Sequence, residues 1–189
     1  MHPSSLEFSK VRRRCLFRRE TPEDYHAAIE CAVRSDRESP ANDFLTELEL
    51  GAAHDDPRFK PPAPDSEQIH DYAQILSAIE FLGAYGEPET KDTVKHLRDG
   101  VWELRHGTRR LSYWDTDGFG HYSPKVRITD FQQLPAGHTF RYTDYWWYPQ
   151  MDPVLRLGCG WHKNEDLAPP EKIDEAVTTR EEDARYDRS

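Results

Sequence analysis

The chain has 189 residues, 25 Lys or Arg against 35 Asp or Glu, and a formal net charge of -10. At 36% hydrophobic and 32% charged, with a mean hydropathy of -0.92, it has material for one core of ordinary domain size plus long polar segments. No run approaches the roughly 18 apolar residues of a membrane span, no apolar stretch follows the N-terminal arginines as a secretory signal requires, and Cys15, Cys31 and Cys159 are too few and too scattered for a disulfide framework, which fits a reduced, cytoplasmic protein.

Residues 1–23 show no sustained period. Basic residues alternate unevenly with Leu6, Phe8, Leu16 and Phe17, which reads as a flexible basic arm. A single domain is expected over 24–180, with a charged tail at 181–189. Residues 26–33 (HAAIECAV) suit a short buried strand. Ser39 and Pro40 then mark a helix start, as cap and first helical position, and Ala41, Phe44, Leu45 and Leu48 give that helix one apolar face. Residues 51–64, with four prolines, read as a loop. Asp65 and Gln68 have capping-box spacing, and Ile69, Tyr72, Ala73, Leu76, Ile79 and Leu82 lay out a second helix to Gly83.

Residues 93–97 are expected to add a turn of helix before a turn at Asp99-Gly100. Residues 101–105 alternate, with Trp102 and Leu104 on one face and Glu103 and Arg105 on the other. A tight turn at Gly107 and a second strand through Tyr113 and Trp114 complete a hairpin that carries Arg105, Arg109 and Arg110. Asp117-Gly118 signals another turn. Residues 125–129 and 140–148 look like two strands around a turn at 135–137, making 119–153 an inserted hairpin. Residues 154–161 (VLRLGCGW) form a further strand, with glycines where another chain segment approaches closely. A last helix opens at Pro169-Pro170, with Ile173, Ala176 and Val177 at helical spacing, and the chain after Arg180 is expected to fray.

The net acidity hides a gradient. Residues 40–94 hold 3 basic and 12 acidic side chains, whereas residues 95–163 hold 10 and 7 and five of the nine histidines. Since anion binding draws on Lys, Arg and His, any phosphate site belongs in the strand-rich block. Helices followed by strands point to an α+β fold with a small antiparallel sheet packed by two N-terminal helices.

The blocks Leu97-Arg-Asp-Gly-Val-Trp-Glu-Leu-Arg105, Arg110-Leu-Ser-Tyr113 and Gly160-Trp-His-Lys163 followed by Pro169 carry a resemblance to phage-derived HigB-like toxins of the RelE/ParE superfamily of bacterial toxin–antitoxin systems. The likeness covers roughly residues 25–118 and 154–180. Asn164 stands where such toxins typically have a second lysine. The resemblance implies a RelE/ParE-like domain with an inserted β-hairpin and a C-terminal helix. It also implies an endoribonuclease that cleaves messenger RNA on the ribosome by 2′-hydroxyl attack on the phosphodiester. The implied partners are messenger RNA, the ribosome and a separate helix-turn-helix antitoxin, with no membrane, cofactor or metal. A ParE-like gyrase inhibitor, or a member that only binds an antitoxin-like partner, is the alternative.

That chemistry needs a base at the hydroxyl, cations at the phosphate and an acid at the leaving oxygen. Arg105, Arg110 and Lys163 match the family positions. His162 sits beside Lys163, and histidine's ordinary pKa of about 6.5 lets it serve as acid or base near neutrality. Arg98 and Arg109 are further candidates for substrate phosphate, and Tyr113 and Trp161 for stacking on an unpaired base, though core packing suits both rings as well. Cys159-x-x-His162 has half the spacing of a zinc site but lacks a second pair.

Overall fold

The computed structural model describes residues 12–19, 21, 26–53, 65–133, 136, 142–163 and 167–189, and of 131–133 and 142–145 the backbone alone. The expectations for residues 1–11, 54–64, Pro135, Gly137 and Asn164 lie outside the described residues. In chain order the elements are β1 (Cys15–Phe17), β2 (Ala28–Cys31), α1 (Pro40–Glu49), α2 (Asp65–Tyr85), β3 (Val94–Arg98), β4 (Val101–His106), β5 (Arg109–Thr116), β6 (Ile128–Gln133), β7 (Tyr142–Trp147), β8 (Val154–His162) and α3 (Pro170–Asp187).

Six strands form one sheet in the order β1-β2-β8-β5-β4-β3, and β6 and β7 pair separately. The pair β2–β8 is parallel and the others are antiparallel. The chain is α+β, but the expected small antiparallel, RelE/ParE-like sheet behind two N-terminal helices is overturned. The sheet is larger and mixed, and two strands precede the first helix.

Two segments account for the added strands, and the parallel pairing of β2 with β8, both expected strands, makes the sheet mixed. Residues 15–17, taken as part of an arm, are held on the sheet because their arginine neighbours find acids. Arg13 pairs with Asp183 and Asp187 at 2.7 and 2.8 Å, and Arg18 with Glu30 at 2.5 Å. Residues 94–98, taken as helical, form the edge strand β3. The hairpin to β4 turns through Asp99 (φ 53°) and Gly100 (φ 77°), the consecutive left-handed pair that a two-residue turn demands. Closed by that turn, residues 94–98 pair with Val101–Leu104 as a strand.

One face of the sheet is covered by α1 and α2, around Ile29, Leu45, Leu48, Ile75, Ile79, Trp102, Leu111 and Tyr113. Each such fully buried side chain contributes about 1.5–3 kcal/mol of transfer free energy. The other face is covered by α3, around Val101, Cys159, Trp161 and Ala176. Because β5 lies between these layers, every one of its residues is buried. The glycines of β8 have the expected cause. A Cβ at Gly160 would collide with the Phe44 ring of α1, and one at Gly158 with Trp114 and the Ser112 hydroxyl.

The helix ends differ from expectation in their polar contacts. The Ser39 hydroxyl donates to the Ala32 carbonyl at 2.7 Å instead of capping α1, and Gln68 accepts from the Ala53 N–H at 2.8 Å instead of boxing the start of α2. The inward face of α2 is rotated to Gln68, Asp71, Ile75, Ile79 and Leu82, leaving Ile69 exposed. At the other end, α3 continues through the expected tail to Asp187. Buried Arg156 holds it there through Asp183 at 3.1 Å and Asp187 at 3.2 Å. The 119–153 segment is docked on the core: Trp102 Nε1 donates to the Lys125 carbonyl at 3.1 Å, and the Tyr113 and Tyr148 hydroxyls meet at 3.1 Å.

Candidate functional site

The end of the sheet nearest Gly107 gathers the predicted residues, but alternation sends them to two faces. On the α2 face, His106 of β4 is opposite Arg109 of β5, and Arg109 is opposite His162 of β8. Adjacent strands lie about 4.8 Å apart, so the two histidine backbones stand about 10 Å apart with Arg109 between them. Arg109 is 1% exposed. Its Nε donates to Asp71 Oδ2 at 3.1 Å, and its Nη1 lies 3.0 Å from His162 Nδ1.

This contact fixes the state of His162. A guanidinium only donates, so Nδ1 accepts and the ring proton sits on Nε2. Thr108 Oγ1 also lies 3.3 Å from the same nitrogen. The second oxygen of Asp71 is 3.5 Å from His106 Nε2, close enough for a charge contact but without hydrogen-bond geometry. His70, exposed on α2, stands edge-on to His106 with ring centroids 6.4 Å apart. Lys163 is placed at the end of β8 by its backbone N–H, which donates to the Thr108 carbonyl at 2.7 Å.

On the α3 face, Arg105 and Arg110 are cross-strand partners that share one acid. Arg105 Nε lies 2.8 Å and Arg110 Nε 3.6 Å from Glu103 Oε1. Arg110 Nη1 also donates to the Gly107 and Arg109 carbonyls at 2.8 and 2.6 Å. Burial lowers its pKa, opposed by Glu103 and reinforced by Arg105. Arg110 is therefore a clasp on the hairpin turn. Arg105 is the more accessible of the two, with a side chain 32% exposed.

The remaining candidates sit apart. Arg98 is exposed and ties β3 to α3 through an ion pair with Asp174, with Asp99 at 3.3 Å. Tyr113 is fully buried, and burial pushes its phenol well above the usual range. Trp161 is 5% exposed beneath α3. Both rings are core side chains, out of reach of a stacking base. Cys159 packs on the α3 face while His162 points to the α2 face, so this pair cannot share a metal. Among the described residues no group of three or more His, Cys, Asp or Glu could hold a metal ion.

Sequence reasoning brought Arg109 and His162 into the site but missed Asp71, His106 and His70. A signal for one of them was present: His106 and Arg109 flank the Gly107 turn and so must face the same way. No protein-family model matches this chain, and no curated protein matches it either.

Proposed function

We propose that this chain cleaves RNA, acting as the toxin of a toxin–antitoxin pair in the cytoplasm, where it cuts messenger RNA on the ribosome and is held inactive by a separate helix-turn-helix antitoxin. The biological setting comes from the likeness of residues 97–113 and 160–163 to HigB-like toxins. The chemistry is carried by one observation, the row His106–Arg109–His162 with Asp71 behind it.

The row supports a reaction in which the 2′-oxygen bonds to phosphorus as the bond from phosphorus to the 5′ oxygen breaks. His106, with Asp71 beside its Nε2, takes the proton of the 2′-hydroxyl on Nδ1. The Nε2–H of His162 donates to a non-bridging phosphate oxygen. The Lys163 ammonium gives its proton to the departing 5′ oxygen, so one proton is gained and one lost by the protein. The products are a 2′,3′-cyclic phosphate and a 5′-hydroxyl. Arg109 is a positioning residue, since its burial keeps it from the substrate while it holds the His162 tautomer. General acid–base groups of this kind contribute about 10²–10⁴-fold each.

The test is cleavage of a single-stranded oligoribonucleotide by the purified chain, alone and with ribosomes, in buffer containing a chelator. Fragments ending in cyclic phosphate are expected, with no cut where the 2′-hydroxyl is removed. His106→Gln and His162→Gln should each slow cleavage about 10²–10⁴-fold. Cleavage of the deoxy substrate, or full activity in both variants, overturns the assignment. In bacteria, induction should arrest growth with loss of transcripts. Arrest with intact transcripts and damaged DNA would replace the ribonuclease by a gyrase inhibitor, and no arrest would replace it by a protein that only binds an antitoxin-like partner.

A further inference from the structure

A cleft of about 440 Å³ opens between the edge strand β3 and the β6–β7 hairpin. Its charged lining is Lys91, Lys95, Arg105 and Arg127, joined by His96 and the half-buried ring of Trp146, and among the described residues Asp92 is its one carboxylate. Four permanent cations against one acid is a local reversal in a chain of net charge -10, and a concave, partly apolar wall concentrates that field on whatever anion enters.

Among the described residues the fold engages only two of these four charges. Arg105 leans on Glu103, and Lys91 donates to the Trp146 carbonyl with its ammonium 5.3 Å from the centre of that ring, which closes the hairpin over the cleft. Lys95 and Arg127 form no ion pair among the described residues. His96 Nε2 is buried and has no hydrogen-bond partner among the described residues, a condition that costs free energy unless a ligand satisfies it. The basicity of His96 is lowered, first by burial and then by Arg127. The volume lies within the range of pockets that take small organic ligands, and a wall combining cations with an indole matches a charged group joined to a flat ring.

We infer that this cleft is a second binding site, for a phosphorylated nucleoside, with the phosphate among Lys95, Arg105 and Arg127 and the base against Trp146. It does not rest on the histidine row, which uses none of these side chains. The same chemistry is offered by a free mononucleotide and by the end of a single-stranded RNA.

Titration of the 189-residue chain, followed by calorimetry, distinguishes these. The probes are adenosine monophosphate, a short oligoadenylate, adenosine and inorganic phosphate. The monophosphate or the oligoadenylate should bind with an affinity that falls as salt rises, and adenosine and phosphate at least about tenfold more weakly. The tighter of the first two names the source. Lys95→Glu and Arg127→Glu should each weaken binding about tenfold or more, while His106→Gln leaves it unchanged. Inorganic phosphate binding as tightly as the monophosphate, indifference to both charge reversals, or absence of binding overturns the inference. Loss of binding in His106→Gln overturns the separation of the two sites.

Discussion

The two faces of the β4–β5–β8 end carry similar residue types and use them differently. On the α2 face, buried Arg109 lies beneath two partly accessible histidines and aims one of them. On the α3 face, Arg110 is buried against Glu103 and the turn carbonyls, and only Arg105 reaches outward. In both, the deeper guanidinium is structural and the shallower groups remain for chemistry. A charge contributes to a site through what it positions as much as through what it touches, and burial separates those roles.

The comparison is most easily broken at Arg109. Replacing it with Leu leaves Asp71 with no strong partner, and loss of one member of a buried ion pair costs about 3–5 kcal/mol. For a chain of this length that is roughly 6–20 °C in Tm. Denaturation of Arg109→Leu, Asp71→Leu and the double variant should show the double variant losing less than the two single losses combined. Strict additivity would mean that Asp71 and Arg109 are not coupled, and the account of His162 would fall with it.

Arg110→Ala should cost less, about 1–3 kcal/mol, because Glu103 keeps Arg105 as a partner and the freed carbonyls lie near a solvent-facing turn. Arg105→Ala should change stability by no more than about 1 kcal/mol, as for a partly exposed ion pair. The order Arg109, Arg110, Arg105 in urea midpoints is the expected outcome. If Arg105→Ala proves as damaging as Arg110→Ala, the α3 face has no outward-facing arginine.

Much of this hairpin is legible in the sequence alone. The alternation in 101–105 separated Trp102 and Leu104 from Glu103 and Arg105, and the structure places them on those two sides. What could not be read was which face each neighbour would cover. Asp71 turned α2 inward because a buried arginine 38 residues later required an acid, and Cys15–Phe17 became a strand because Arg13 and Arg18 meet acids on α3 and β2. These long-range ion pairs leave no periodicity in sequence. The turn at Asp99-Gly100 was visible, yet its consequence, that 94–98 must be a strand, depends on the two-residue hairpin geometry and not on local propensity.

The smallest effect tests how firmly α3 closes its face. Cys159 lies under that helix, and burial pushes its thiol up to about 12, as it does for Cys31 on β2, while Cys15 is exposed. A thiol alkylates only as thiolate, so at pH 8 a folded chain should label rapidly at Cys15 and slowly at the other two. Raising the pH should speed Cys159 through its thiolate fraction, as far as the helix stays down. Slow labelling that becomes fast in urea is the expected record by mass spectrometry. Labelling of Cys159 as fast as Cys15 in native buffer, with Cys31 still protected, would mean that α3 lifts from the sheet on its own. Arg110 and Trp161 would then become reachable, and the division between a closed arginine face and an open histidine face would no longer hold.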